Sequence, residues 1–226
     1  MPSRTPRQRT LSPPRPPETA AHLAELPTDT PLTIADSIVE VDVQDLHDEL
    51  SEIRRCRFTK SAMVGMQLAK ATIVDVDFDH CDLAGGRITK SSLTRVRFTG
   101  CRLSALDLSE TTFTDVEFRD CVLDWANFRM TKGTTVRAST CGLVNADFAG
   151  AELSGLSLLG CDLTDATFAG SKCLDVALHR STLERTSGLL SLRNVTIGSD
   201  QQLPYALQLL PDLNVVVDDD AEPSST

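Results

Sequence analysis

ATIVDVDFDHCDLAGGRITKSSLTRVRFTGCRLSALDLSETTFTDVEFRD, residues 71–120, repeats itself every five residues and again every twenty. Stepping by five from Ile73 gives Phe78, Leu83, Ile88, Leu93, Phe98, Leu103, Leu108, Phe113 and Phe118, all large and apolar. Followed outward, this register runs from Ile53 to Leu183. It contains 27 such centres, and 24 are Leu, Phe, Ile or Met; the exceptions are Gly133, Ala138 and Cys173. All eight Phe of the 226-residue chain fall in it (Phe58, Phe78, Phe98, Phe113, Phe118, Phe128, Phe148, Phe168).

The position two before each centre is mostly Cys, Ser, Ala, Val, Thr or Gly, with Met66, Leu106 and Leu156 as larger members. The 34 charged residues between Ser51 and Thr186 all avoid both positions. Two positions in five are therefore buried and three are wet. A five-residue period is neither helical nor simple strand alternation. It fits a chain that turns a corner every five residues, so that four sides close a square coil of twenty.

The longer period is visible directly. Cys81, Cys101, Cys121, Cys141 and Cys161 recur every twenty residues, as do Val76, Val96, Val116 and Val136. Residues twenty apart are expected to stack about 4.8 Å apart, as neighbouring strands do. The 27 pentapeptides, four to a coil, make about 6.75 coils and a rod about 30 Å long. In such a solenoid each coil touches only its neighbours. Charge follows the same stacking: Arg57, Asp77, Arg97, Glu117 and Arg137 alternate in sign, and so do Arg55, Asp75, Arg95 and Asp115. Opposite charges at strand spacing contribute about a few tenths of a kcal/mol each. The fold class expected is an all-β solenoid, a parallel β-helix with four sides.

Ala146-Asp147-Phe148, Cys161-Asp162-Leu163 and Cys81-Asp82-Leu83 resemble the A(D/N)Lxx unit of the pentapeptide-repeat family, and the resemblance covers about 60% of the chain. It implies a right-handed quadrilateral β-helix. The stretch from Gly188 to Val217, with Leu192, Ile197, Gln202, Leu203, Leu207 and Val215, resembles the C-terminal end of actinobacterial members. Some relatives dimerise through such a C-terminal cap. Others mimic B-form DNA, bind DNA gyrase and protect it from quinolones, which requires a strongly acidic surface.

Five segments are expected. Residues 1–30 are rich in Pro, Arg, Ser and Thr and read as a disordered tail, with Ser12 before Pro13 as a candidate phosphorylation site. Residues 31–52 read as an N-terminal capping segment: a strand-like run from Ile38 to Val43, then a helical turn through Leu46, Leu50 and Ile53, with Asp45 as its cap. Residues 53–186 are the coil. Residues 187–217 form a C-terminal cap. There, Ser199 and Gln202 resemble a capping box, and Leu203, Ala206, Leu207 and Leu210 share a helical face. Pro211 ends that helix, and Val215 to Val217 read as a strand. Residues 218–226 are an acidic, disordered tail. The cap is expected to cover the last coil's open strand edge, which otherwise invites aggregation.

Nothing in the coil reads as chemistry. Thiols in a straight line cannot build a tetrahedral metal site, and no Cys-x-x-Cys pair exists. His22, His47, His80 and His179 are scattered, and no triad spacing is evident. No enzyme activity, cofactor or metal is expected. Seven Cys without a leading apolar stretch, and no run of 18 apolar residues, point to a cytoplasmic protein outside the membrane. The net charge of −10 does not come from the coil. Residues 51–186 carry 17 basic and 17 acidic residues, and the four sides carry net +2, −3, +1 and 0. No direct nucleic-acid binding is expected, and the gyrase-binding, DNA-mimic reading is the alternative rather than the leading one.

The leading reading is a rigid protein-interaction or scaffolding module of unknown partner. Candidate interaction residues are Trp125, Met130 and Leu159, which are large, apolar and outward, together with Leu203, Leu207 and Leu210 of the cap, where a homodimer could form. Taken alone, Trp125 reads first as a covered corner residue and only second as a contact site. Gly133 and Ala138, two undersized centres in succession, mark a thin spot where a kink or a cavity is expected.

Overall fold

The computed structural model describes residues 10–15, 20–44 and 46–215. Its backbone turns where the five-residue period says it must. Every fifth residue from Arg55 to Arg185, always two after a centre, lies in the left-handed region, with φ between +49° and +76°. Only seven of these corners are Gly, and a side chain there costs about 1–2 kcal/mol. The compensation lies in hydrogen bonds to the next coil. Lys60 N donates to Asp79 O (2.9 Å), His80 N to Thr99 O (2.8 Å) and Gly100 N to Arg119 O (2.9 Å).

Between corners the chain is extended. The strands are β1 (Ala21–Leu23), β2 (Thr33–Ala35), β3 (Ser37–Val39), β4 (His47–Glu49), β5 (Glu52–Thr59), β6 (Gln67–Ala69), β7 (Thr72–Asp79), β8 (Arg87–Thr89), β9 (Ser92–Thr99), β10 (Thr112–Arg119), β11 (Lys132–Ser139), β12 (Glu152–Leu159), β13 (Cys173–Leu174) and β14 (Leu192–Arg193). One parallel sheet runs β1-β3-β5-β7-β9-β10-β11-β12-β13-β14, with β2 also on β5, and a second runs β4-β6-β8. The register is twenty through the middle: Phe58 lies on Phe78, Phe98, Phe118 and Ala138 in turn. The result is the four-sided parallel β-solenoid that the sequence predicts, but with about nine turns where the unbroken five-residue count gives about 6.75.

The interior is a set of side-chain columns. Phe58, Phe78, Phe98 and Phe118 stack at centroid separations of 4.9, 4.8 and 5.0 Å. Offset ring pairs of this kind contribute about 0.5–1.5 kcal/mol beyond area burial. All seven Cys are reduced and buried. Those of the ladder donate weakly to carbonyls, as Cys101 Sγ does to Phe78 O at 3.4 Å. Ser and Thr in equivalent places do the same more strongly, as Thr111 Oγ1 does to Ile88 O at 2.7 Å. That is why small thiols and hydroxyls share this position.

The thin spot at Gly133 and Ala138 is a change of sides. The first phenyl column ends where Ala138 lies on Phe118, and a second begins on another side, Phe128 on Phe148 on Phe168 at 4.6 and 4.9 Å. Phe128 presents its edge to Phe118 (6.1 Å, 86°) and Phe113 (6.4 Å, 69°). The volume missing at Ala138 is thus supplied by a ring on a neighbouring side.

The ends differ from expectation. No helical turn spans Leu46 to Ile53; residues 47–49 are β4, paired with β6. The coil also extends backward, with Ile34 on Ile53 and Val39 on Phe58. Here the spacing is nineteen, returning to twenty at Asp42 on Ala62. One missing residue breaks the five-residue count and hid this coil. Forward of Leu183 the same thing happens: Thr167 lies on Ser187, but Cys173 lies on Leu192. Asp45, read as a cap, lies outside the described residues.

Residues 10–15 and 20–30, read as a disordered tail, pack on the coil. Ala21–Leu23 extends the sheet through β3, Leu26 packs on the core and Pro14 is buried. A Pro-rich segment cannot build a core, but it can borrow one. Proline is already restrained when unfolded, so ordering it costs less entropy.

At the other end no Ser199–Gln202 capping box forms: Gly198 is the N-cap, and its N–H donates to Gln201 Oε1 at 3.1 Å. The buried Gln201 amide stands in for the backbone of an absent next coil. Its Oε1 accepts from Arg180 N (2.7 Å) and its Nε2 donates to Ser181 O (2.8 Å). Helix α1 (Gln202–Asp212) runs through Pro211 rather than ending at it. Asn214, with φ +56°, ends it. Val215 is not in a strand, and residues 216–226 lie outside the described residues.

Candidate functional site

The side bearing Arg57, Asp77, Arg97, Glu117 and Arg137 is the one most built upon. Strands β5, β7, β9, β10, β11 and β12 each run eight residues and line it with paired charges. Arg57 approaches Asp77 at 3.5 Å, Arg97 lies 3.8 Å from Asp77, and Arg97 Nε donates to Glu117 at 3.0 Å. At the adjoining corner Arg95 grips Asp75 with two bonds of 2.6 and 2.7 Å. The alternation expected from sequence stops one step early. Glu117 takes its second partner from Arg119 (2.8 Å), within its own strand, and Arg137 pairs with no carboxylate among the described residues.

Residues 10–15 run across these rungs toward the N-terminal end of the rod. Thr10, Leu11 and Pro13 face Arg97, Glu117, Arg119 and Arg137 across a cleft of about 380 Å³. Arg15 N donates to Asp75 Oδ1 at 3.3 Å. Such cover explains why Asp75 is 8% exposed and Glu117 only 2%. The Arg95 guanidinium holds the Asp75 carboxyl below its ordinary value. Burial acts to raise that of Glu117, but hydrogen bonds from Arg119 and Arg97 outweigh it and the net direction is down. A folded pKa below the unfolded one gives stability that is full above the unfolded value and lost as pH falls through the folded one. The melting temperature is therefore expected to be level from pH 8 to about pH 5 and to drop below about pH 4. Arg95→Gln should flatten part of that drop; an unchanged acid limb would disprove the link.

The apolar candidates are exposed to different degrees. Trp125 sits at a corner with φ +64° and is 65% exposed, so it is not a covered corner. Met130, at the next corner, is exposed beside Gly150, and Val122 is exposed in the same coil. Leu159 is half-buried and offers less. In α1, Tyr205 and Leu209 pack on the core while Leu203 and Leu207 face out. Leu210 is half-buried. Leu213 and Val215 continue the exposed face, which the sequence reading missed because it placed the helix end at Pro211.

Among the described residues no group of three or more His, Cys, Asp or Glu is arranged to hold a metal. Burial pushes the thiols of Cys56 and Cys173 up from their ordinary value. Among the described residues, no helix is long and apolar enough to cross a membrane.

A family model described as a pentapeptide repeat region matches residues 71–148 and 91–168. Among solved structures, a trypsin-treated variant of QnrB1, a plasmid-mediated fluoroquinolone resistance protein, is similar. It is 18% identical, with a TM-score of 0.51, and the match covers 88% of this chain and 100% of that one. HetL, a pentapeptide repeat protein involved in heterocyst differentiation regulation in the cyanobacterium Nostoc, is 16% identical with a TM-score of 0.40, covering 78% and 88%. At 18% identity the likeness to QnrB1 is one of fold. No curated protein sequence matches the chain.

Proposed function

The chain belongs to the pentapeptide-repeat family, and we propose that it is a non-enzymatic, rigid binding module that holds a protein partner against its outer faces. The observation carrying this reading is Trp125: a Trp 65% exposed at a fixed corner of a stiff coil, with Met130 and Val122 exposed close by in sequence. Large rings presented on a rigid surface are the usual anchors of protein interfaces. Family members of this architecture serve as structural or interaction modules. The exposed Leu203 and Leu207 of α1 support a second copy of the chain as a further partner, with the two helices covering each other.

The ladders of opposite charge argue against a surface resembling DNA. A photo-crosslinking residue at position 125, used in cell extract at low and high salt, tests these readings. A partner captured at 125 and lost in a Met130→Ala variant is the expected result. No adduct above background would sink the binding surface, and salt-sensitive capture of gyrase subunits would establish the DNA-mimic alternative instead. Sedimentation of the Leu203→Glu, Leu207→Glu double variant as a monomer, against a wild-type dimer, is the expected outcome for the cap.

A further inference from the structure

The cleft under the N-terminal segment has more positive charge than it uses. Its coil wall holds three guanidinium groups, Arg97, Arg119 and Arg137, and one carboxylate, Glu117. Glu117 is fully engaged by Arg97 and Arg119. Arg137 is left over, and its Nε is buried with no hydrogen-bond acceptor among the described residues. Its neighbour in the next coil, just beyond the residues that line the cleft, is Ser157, which is 6% exposed and whose Oγ has no partner among the described residues. Buried donors without acceptors cost about 1–3 kcal/mol each, so two in adjacent rungs mark a place built to receive an anion. The opposite wall carries a hydroxyl, that of Thr10.

We propose that Thr10 is a phosphorylation site and that Arg137 and Arg119 receive its phosphate, fastening residues 10–15 across the charged face. A phosphothreonine brings about two negative charges and three acceptor oxygens, and guanidinium groups bind such oxygens in pairs. The sequence before Thr10 is Arg7-Gln8-Arg9, which suits a kinase selecting basic residues. In the transfer, Thr10 Oγ1 bonds to the γ-phosphorus of a nucleoside triphosphate and the bond to its bridging oxygen breaks. The nucleoside diphosphate leaves, and the hydroxyl proton passes to the kinase's base. Ser12, the phosphorylation candidate from sequence, is exposed and does not line the cleft.

Without phosphate the segment is held by the burial of Pro14 and one backbone bond from Arg15. It is then free to lift and uncover Asp75, Asp77 and Glu117. With phosphate it is clamped at both ends, and that face is closed to other partners.

The test compares full-length protein carrying phosphothreonine at position 10 with unmodified protein. Amide exchange at Leu11 and Arg15 is expected to slow about tenfold, and the second phosphate pKa to fall by about one unit from its usual value near 6. Both changes should vanish in Arg119→Gln, Arg137→Gln protein that melts normally. Phosphoserine at position 12 should produce neither. Inorganic phosphate should shift the Arg137 side-chain resonance of unmodified protein but not of protein phosphorylated at Thr10, whose site is filled. A phosphate titrating like that of a free peptide, or clamping that survives loss of both arginines, would overturn the proposal.

Discussion

Phe118→Asp is expected to take the coil apart. Phe118 is 1% exposed, stacked on Phe98 at 5.0 Å and met by the edge of Phe128 at 6.1 Å. It is the joint between the two phenyl columns. Losing a buried ring costs about 3–5 kcal/mol, and leaving an unpaired carboxylate there adds several more. In a solenoid, stability is a sum of contacts between neighbouring coils, so a break in the middle separates the two ends. Circular dichroism melting should show lost β signal at room temperature or two transitions instead of one. The matched control is Asp120→Asn. Asp120 is exposed and sits at a corner with φ +52°, where Asn is tolerated and Ala is strained. If both variants melt like wild type, the interior has been misassigned.

Gly133→Ala should be nearly as damaging, although it adds only a methyl group. Gly133 has φ +156°, and a Cβ there would lie 2.1 Å from Phe113 O, the carbonyl of the coil beneath. Backbone cannot move aside as a side chain can. The rungs β10 and β11 would have to separate, losing the pairing that joins Phe113 to Gly133 and Phe118 to Ala138. A loss of at least about 4 kcal/mol, about 10 °C or more in melting temperature, is expected. Gly155→Ala provides the comparison. That corner has φ +76° but nothing closer than 3.7 Å to the added carbon, so only the backbone cost of about 1–2 kcal/mol applies. Equal melting temperatures for the two variants would refute the steric account.

These results rest on different kinds of information. The burial of Phe118 follows from the five-residue register and was legible in the sequence. The obstruction at Gly133 was legible only as a missing side chain; that another coil's carbonyl fills the space needs coordinates. Trp125 and Met130 were legible as outward residues, but Leu159 was equally outward by register and proved half-buried. Register gives a side chain's direction from its own coil and says nothing about what the neighbouring coil lays over it.

The N-terminal segment shows the limit most clearly. Nothing in residues 10–15 forecasts order, because their order is borrowed from Asp75 and the arginine ladder, which lie 60 or more residues away. The terminal coils were hidden for a simpler reason: a single skipped residue, nineteen for twenty, defeats a count but not a hydrogen bond, which needs only the right neighbour.

By itself, then, the sequence determined the coil, its four sides and its buried columns, because a strict period in apolar residues leaves the backbone one way to bury them. The tertiary structure alone decided where the coil begins and ends, which charges find partners and that Arg137 finds none among the described residues. Each of those depends on contacts between residues that no local period relates.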